Sequence, residues 1–110
     1  MNNTRLKQLQ SLLEEDPGSS FLQFAIAKEY EKYEQWPEAR MAYETLAQND
    51  PDYVGTYYHL GKLYEKLDRP ADAFQTYKTG MEAAKRVGDQ HALSELAGAK
   101  LALGDEEDFE

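Results

Sequence analysis

Two consecutive stretches of 34 residues decide the fold: residues 20–53, SFLQFAIAKEYEKYEQWPEARMAYETLAQNDPDY, and residues 54–87, VGTYYHLGKLYEKLDRPADAFQTYKTGMEAAKRV. Superimposing them aligns seven identical residues: Lys28 with Lys62, Tyr30 with Tyr64, Glu31 with Glu65, Lys32 with Lys66, Ala39 with Ala73, Tyr43 with Tyr77, and Thr45 with Thr79. The turn pairs Asp16-Pro17 and Asp50-Pro51 have the same 34-residue spacing. A fixed period of this length indicates a protein built from repeated supersecondary units.

The residues at fixed positions of the two stretches resemble the tetratricopeptide repeat. That pattern runs W-x2-L-G-x2-Y, then Ala, an aromatic four residues later, and Pro. The second stretch supplies Tyr57, Leu60, Gly61, Tyr64, Ala73 and Tyr77, and the first supplies Ile26, Ala27, Tyr30, Ala39, Tyr43 and Pro51. The departures are Gln23 in place of Trp and Lys85 in place of Pro. The resemblance implies an all-α solenoid of about three antiparallel helix pairs.

We predict one helical domain over residues 1–103, followed by a frayed acidic tail over residues 104–110. Within the domain we expect a half-repeat at 3–15, repeats at 20–53 and 54–87, and a capping helix at 89–103. The individual helices are predicted at 3–15, 20–33, 37–49, 54–67, 70–87 and 89–103. Asp89 is a predicted N-cap, and Pro37 and Pro70 suit the first turn of a helix. Without a Pro at position 85, the helix that begins near Pro70 is expected to run through Arg86.

Packing within each helix pair follows from small and aromatic residues at helical spacing. Ala27 and Gly61 allow close approach of the paired helix, and Tyr43 and Tyr77 fill the space between pairs. On the last helix we expect one stripe to dock on Phe74, Tyr77 and Met81, made of Leu93, Leu96, Ala97 and Leu101. One hairpin cannot bury such faces alone, but stacked neighbours can.

Composition excludes several classes of protein. No apolar run approaches the ~18 residues of a membrane span, and the N-terminus lacks the pattern of a signal peptide. The absence of cysteine excludes disulfides and is compatible with the cytoplasmic location that we predict. The formal charge of −9 argues against nucleic acid as a partner.

Catalytic, cofactor and metal motifs are absent from the sequence. His59 and His91 are far apart and belong to no ligand pattern, and there is no glycine-rich phosphate loop. We therefore predict that the chain is not an enzyme and needs no cofactor.

The resemblance also implies a binding surface, because in this family the first helix of each pair lines a concave groove. Carried onto this chain, the groove residues are Phe21, Phe24, Lys28, Glu31 and Lys32 in the first repeat and Tyr58, His59, Lys62, Glu65 and Lys66 in the second. The expected partner is a protein or peptide segment of acidic or amphipathic character, held by a monomeric, non-enzymatic adaptor. The asparagines of repeats that clamp chaperone tails are missing, so we do not expect that ligand.

Three alternatives remain open at this stage. The lysines are equally consistent with a solvated face, and Phe21 and Phe24 with packing against residues 3–15. The chain is also consistent with a self-associating scaffold, in which Trp36 is either exposed or packed beside Pro37. The third alternative is a regulatory subunit that presents a substrate to an enzyme.

Overall fold

Six α-helices and one short 3-10 helix form the computed structural model, which describes residues 3–110. The α-helices are α1 (Thr4–Glu15), α2 (Ser20–Lys32), α3 (Trp36–Asn49), α4 (Gly55–Lys66), α5 (Pro70–Val87) and α6 (Gln90–Leu103), and the 3-10 helix is Glu106–Phe109. No strand occurs between residues 3 and 110. The predicted all-α fold is confirmed, with each α-helix end within one residue of its predicted position. In the same range, no helix is both long and apolar enough to cross a lipid bilayer.

Polar side chains cap the N-termini of α2 and α6, and the cap of α6 was predicted from the sequence. Asp89 accepts a hydrogen bond from the backbone N–H of Ala92 at 3.0 Å, which confirms it as the N-cap of α6. Ser19 does the same for α2 by accepting from the N–H of Leu22 at 3.2 Å. Such caps satisfy backbone donors that have no partner within the helix.

The turn between the two helices of each pair has the same backbone in both repeats. Glu34 and Asp68, one period apart, have φ of 58° and 59°. This left-handed conformation lets the next N–H reach back to the end of the first helix. Gln35 N donates to Tyr30 O at 2.9 Å, and Arg69 N donates to Tyr64 O at 2.8 Å. The second helix of each pair therefore begins in the same orientation to the first.

The chain divides into two compact units, the first ending at Asp50 and the second beginning at Pro51. In the first unit, α2 packs on both α1 and α3. Ala27 and Ala39 are completely buried, together with Tyr43 and Leu46. Trp36 is the first residue of α3, where it is half-buried beside Pro37.

In the second unit, α5 packs on both α4 and α6. Gly61 of α4 lies directly against the ring of Tyr77, so closely that a Cβ atom at this position would overlap the ring. Gly80 of α5 also permits a close approach. A Cβ atom at this position would lie 2.5 Å from the Cβ atom of Tyr57 and 3.0 Å from Leu96. The close approach at Gly61 was predicted, whereas the one at Gly80 was not.

Two details of the second unit correct the sequence analysis. The stripe expected on α6 is wrong in part, because Leu101 is 77% exposed while Leu96 and Ala99 are buried. The acidic tail is not frayed, because residues 106–109 form the 3-10 helix and Phe109 stacks on Phe74 with ring centroids 4.4 Å apart. An aromatic residue within the acidic run gives the segment an apolar contact that charge alone does not reveal.

Candidate functional site

The outer face of α2 carries four of the groove residues predicted for the first repeat. Phe21 is 69% exposed, which argues against its packing away under α1. The Phe24 ring meets the buried ring of Tyr43 edge-on, with centroids 6.1 Å apart. The Lys28 ammonium lies 5.6 Å from the Phe24 centroid, within the range of a cation–π contact. This arrangement leaves one aromatic ring anchored and the other open to solvent.

A pocket of about 330 Å³ opens on this face, within the first unit. Its walls combine two aromatic rings with three basic side chains, namely Phe21, Phe24, Arg5, Lys28 and Lys32. Glu29, which is 5% exposed, also lines it. The Glu29 Oε2 atom pairs with Arg5 Nε at 3.4 Å, but Oε1 is buried with no hydrogen-bond partner among residues 3–110. The pocket therefore has a basic rim and an unsatisfied acceptor.

Comparison of the two repeats shows how unusual Glu29 is. The residue one period later is Leu63, which is 0% exposed. A carboxylate thus occupies a core position of the repeat that the second unit fills with leucine. Burial of a charged group is costly unless it is paired and hydrogen-bonded. Glu29 is paired through one oxygen only, so its burial is incompletely compensated by the described residues.

In the second unit, α4 repeats the lysine and aromatic arrangement. The Lys62 ammonium lies 5.6 Å from the centroid of Tyr58 and 3.7 Å from Oε2 of Glu65. The His59 ring stands edge-on to Tyr58, with centroids 6.1 Å apart. Lys66, the last residue of α4, is exposed. The first-helix face of each repeat thus presents a ring with an ammonium above it.

The two groove glutamates each bind a tyrosine of the paired helix. Tyr43 donates its phenol hydrogen to Oε1 of Glu31 at 2.8 Å, and Tyr77 donates to Oε2 of Glu65. Burial raises the pKa of Tyr43, and the hydrogen bond to Glu31 and its charge raise it further. The pKa of Tyr77 is raised in the same way by burial and by Glu65. Both phenols therefore stay protonated. Glu31 joins α2 to α3 in the first unit, and Glu65 joins α4 to α5 in the second unit.

Of the groove residues predicted in the first repeat, the pocket brings together Phe21, Phe24, Lys28 and Lys32. Glu31 does not line the pocket and instead accepts a hydrogen bond from Tyr43. Sequence reasoning missed Glu29 and Arg5. The superposition of the repeats contained the signal for Glu29, because it places a carboxylate opposite Leu63. Arg5 carried no such signal, since it approaches from α1, outside the two complete repeats.

A second, larger pocket of about 400 Å³ lies elsewhere in the first unit, between α1, α2 and α3. Gln23 lines it and stands where the second repeat has Tyr57, and its side chain turns back to donate to the carbonyl of Pro17 at 3.0 Å. None of its lining residues is a buried charged group.

No metal centre can be built from the described side chains, because no three His, Asp or Glu residues within 3–110 come together in a suitable arrangement.

Solved structures with similar folds include two of a tetratricopeptide repeat domain protein from Salinibacter ruber, each 50% identical to this chain. The solution structure covers 80% of this chain and 89% of that protein, with a TM-score of 0.77. The crystal structure covers 77% and 96%, with a TM-score of 0.75. A protein from Bordetella parapertussis is 27% identical, covers 100% and 95%, and has a TM-score of 0.78. A scan against family models and a search of curated proteins both found no match.

Proposed function

We propose that this chain, which belongs to the tetratricopeptide repeat family, is a non-enzymatic module that binds an acidic segment of a partner protein. In the first unit the binding surface would be the face of α2 with the pocket at Glu29, and in the second unit the face of α4 would offer a separate contact.

The observation that carries this proposal is Glu29, a buried carboxylate whose Oε1 has no hydrogen-bond partner among residues 3–110, at a position where the second repeat has leucine. A donor from a bound segment, such as a main-chain N–H, would satisfy Oε1. Arg5, Lys28 and Lys32 surround the same pocket and outnumber the single carboxylate. The net positive rim favours a segment that carries carboxylates rather than a basic one.

Affinity and association rate would come from different residues of this surface. Phe21 and Phe24 offer apolar area to the partner, and buried aromatic anchors usually hold most of the binding energy. Lys28 and Lys62 are exposed, and exposed charges act mainly by steering the encounter. Substitution of the rings should therefore speed dissociation, and reversal of the lysines should slow association.

The experiment begins with the full chain immobilised to capture a partner from its native lysate. The captured partner is then titrated at two salt concentrations against the wild type and the Lys28→Glu/Lys62→Glu variant. The matched control is Lys7→Glu/Lys85→Glu, which changes the net charge equally and also alters one exposed lysine in each unit.

We expect association with the Lys28→Glu/Lys62→Glu variant to be at least about tenfold slower and less dependent on salt than with the control. Phe24→Ala should mainly raise the dissociation rate. If the two double variants associate equally fast, with the same dependence on salt, the lysines are a solvated face and the proposal fails. Far-UV circular dichroism should show that all the variants keep their helix content.

A self-associating scaffold is the second candidate, and the exposure of Leu101 favours it. This leucine, on α6, is 77% exposed, more than any other large apolar side chain described. Light scattering distinguishes the candidates. We expect a monomer, because the net charge is far from zero. A dimer mass that Leu101→Asp reduces to a monomer would favour the scaffold.

A further inference from the structure

The segment that follows α6 is held in a defined conformation. Gly104 has φ of +146°, and a Cβ atom there would lie 2.5 Å from Oδ2 of Asp108 and 3.3 Å from the Phe109 ring. The 3-10 helix is closed by its own polar groups: Asp105 N donates to Oδ2 of Asp108 at 2.8 Å, and Glu107 N donates to Oδ1 of Asp105 at 3.1 Å. Residues 105–109 therefore form a small preorganised unit joined to α6 through a glycine.

Residues 105–109 contact α5 through an aromatic stack. The Phe109 ring lies nearly parallel to Phe74 of α5, with an interplanar angle of 20°. Lys100 of α6 also approaches Phe74, with its Nζ atom 4.8 Å from the ring centroid. Phe74 thus offers one ring both to an aromatic ligand group and to an ammonium.

Glu106, three residues before Phe109, provides the second point of contact. Its Oε2 atom pairs with Lys78 Nζ at 3.2 Å, and its Oε1 atom pairs with Lys100 Nζ at 3.6 Å. The Glu106 side chain is 58% exposed, so water competes for both pairs. The contact of Glu106 with the two lysines therefore has a defined geometry, but another carboxylate can replace it.

We propose that Phe74, Lys78 and Lys100 form a recognition surface for a short protein segment in which a carboxylate precedes a phenylalanine by three residues. Residues 105–109 occupy this surface as an internal ligand, and a partner segment of the same chemistry displaces them. The ring of such a segment stacks on Phe74, and its carboxylate bridges the two ammonium groups. No residue of α2 or α4 takes part, so this inference is independent of the function proposed above.

The test uses the chain's own segment as the probe. A fluorescently labelled peptide with the sequence of residues 104–110, Gly-Asp-Glu-Glu-Asp-Phe-Glu, is titrated into full-length wild type and Phe109→Ala by fluorescence anisotropy. We expect Phe109→Ala to bind at least about tenfold more tightly, because the competing internal ligand has been removed. Leu12→Ala, which removes an exposed apolar side chain of the first unit, is the matched control and should bind as the wild type does.

A second variant tests displacement without removal of a contact residue. Gly104→Ala leaves Phe109 and Glu106 in the chain, but it brings a Cβ against Asp108 and forces a backbone conformation that alanine rarely adopts. It should therefore bind the probe more tightly than wild type, as Phe109→Ala does. Gly98→Ala, at a helical position with open space around it, should not.

Two further substitutions, each made in the Phe109→Ala variant, test the specificity of probe binding. Lys100→Glu should weaken probe binding at least about tenfold, whereas Lys7→Glu should leave it unchanged. A probe with alanine in place of its phenylalanine should not bind. The proposal is overturned if neither Phe109→Ala nor Gly104→Ala binds more tightly than wild type, since the segment is then a fixed cap. It is also overturned if Lys28→Glu, rather than Lys100→Glu, abolishes probe binding.

Discussion

Replacing Glu29 with leucine should stabilise the protein while removing the proposed binding function. The second repeat already has Leu63 at this position, completely buried, so the backbone of a repeat accepts leucine there. In the wild type, Glu29 places an unpartnered oxygen in the interior of the first unit. A residue that is unfavourable for folding is the kind expected where a site serves binding.

The expected size of the effect follows from two opposing contributions. An unsatisfied buried acceptor costs about 1–3 kcal/mol, and leucine removes this cost. The variant also loses the pair with Arg5, whose side chain is 66% exposed, so that the pair contributes about 0–1 kcal/mol. The balance favours Glu29→Leu by about 0–3 kcal/mol, with a midpoint of about 1.5 kcal/mol. Each kcal/mol corresponds to a rise in Tm of about 4–8 °C.

Chemical denaturation followed by far-UV circular dichroism measures this difference, and Trp36, the chain's one tryptophan, reports on the first unit by fluorescence. Arg5→Ala is the matched comparison, because it breaks the same pair but leaves the buried charge in place, so it should destabilise. If Glu29→Leu destabilises by as much as Arg5→Ala, then Glu29 serves the fold through its ion pair and the reasoning is refuted. Partner titration with Glu29→Leu should show weaker binding despite the greater stability.

Three further predictions concern the second unit. Gly61→Ala should lose about 1–3 kcal/mol through overlap with a buried ring, whereas Gly98→Ala, with open space, should gain about 0.5–1 kcal/mol; denaturant unfolding measures both, and equal stabilities would contradict the close packing. Tyr64→Ala, at a buried position, should lose about 3–5 kcal/mol, and an unchanged midpoint would show that the repeat register is wrong. The hydrogen bond from Lys78 lowers the pKa of Glu106. The contribution of Glu106 to docking is therefore present above the ordinary glutamate pKa of about 4.3 and is lost as the pH falls through its lowered pKa; NMR shifts of the docked aromatic ring should show weaker docking in this range, and shifts independent of pH would contradict it.

Repeat spacing predicted most of the fold because its signals are local or periodic. Pro70, Asp89 and the paired Asp-Pro turns mark helix ends through backbone chemistry that does not depend on the rest of the chain. Gly61 could be assigned to a close helix approach because the family pattern fixes its position, whereas its contact with the Tyr77 ring was not predicted. The candidate site was harder to predict from the sequence, because the burial of Glu29 depends on how α1, α2 and α3 pack.

The errors lie where periodicity is ambiguous. α6 has apolar residues on all sides, so its hydrophobic pattern does not say which side faces α5. Leu101 was therefore placed inward although it is exposed. Phe109 lies in a run of acidic residues that favours a disordered tail, and only the distant ring of Phe74 makes its ordered position favourable.

The buried phenols of Tyr43 and Tyr77 limit the folding stability of the protein at alkaline pH. Because burial and a neighbouring glutamate raise both pKa values in the folded state, these tyrosines ionise first in unfolded chains. Stability is unaffected below the ordinary tyrosine pKa of about 10 and falls above it, by about 1.4 kcal/mol per pH unit for each phenol. Since Tyr43 lies in the first unit and Tyr77 in the second, both units should begin to weaken at the same alkaline pH.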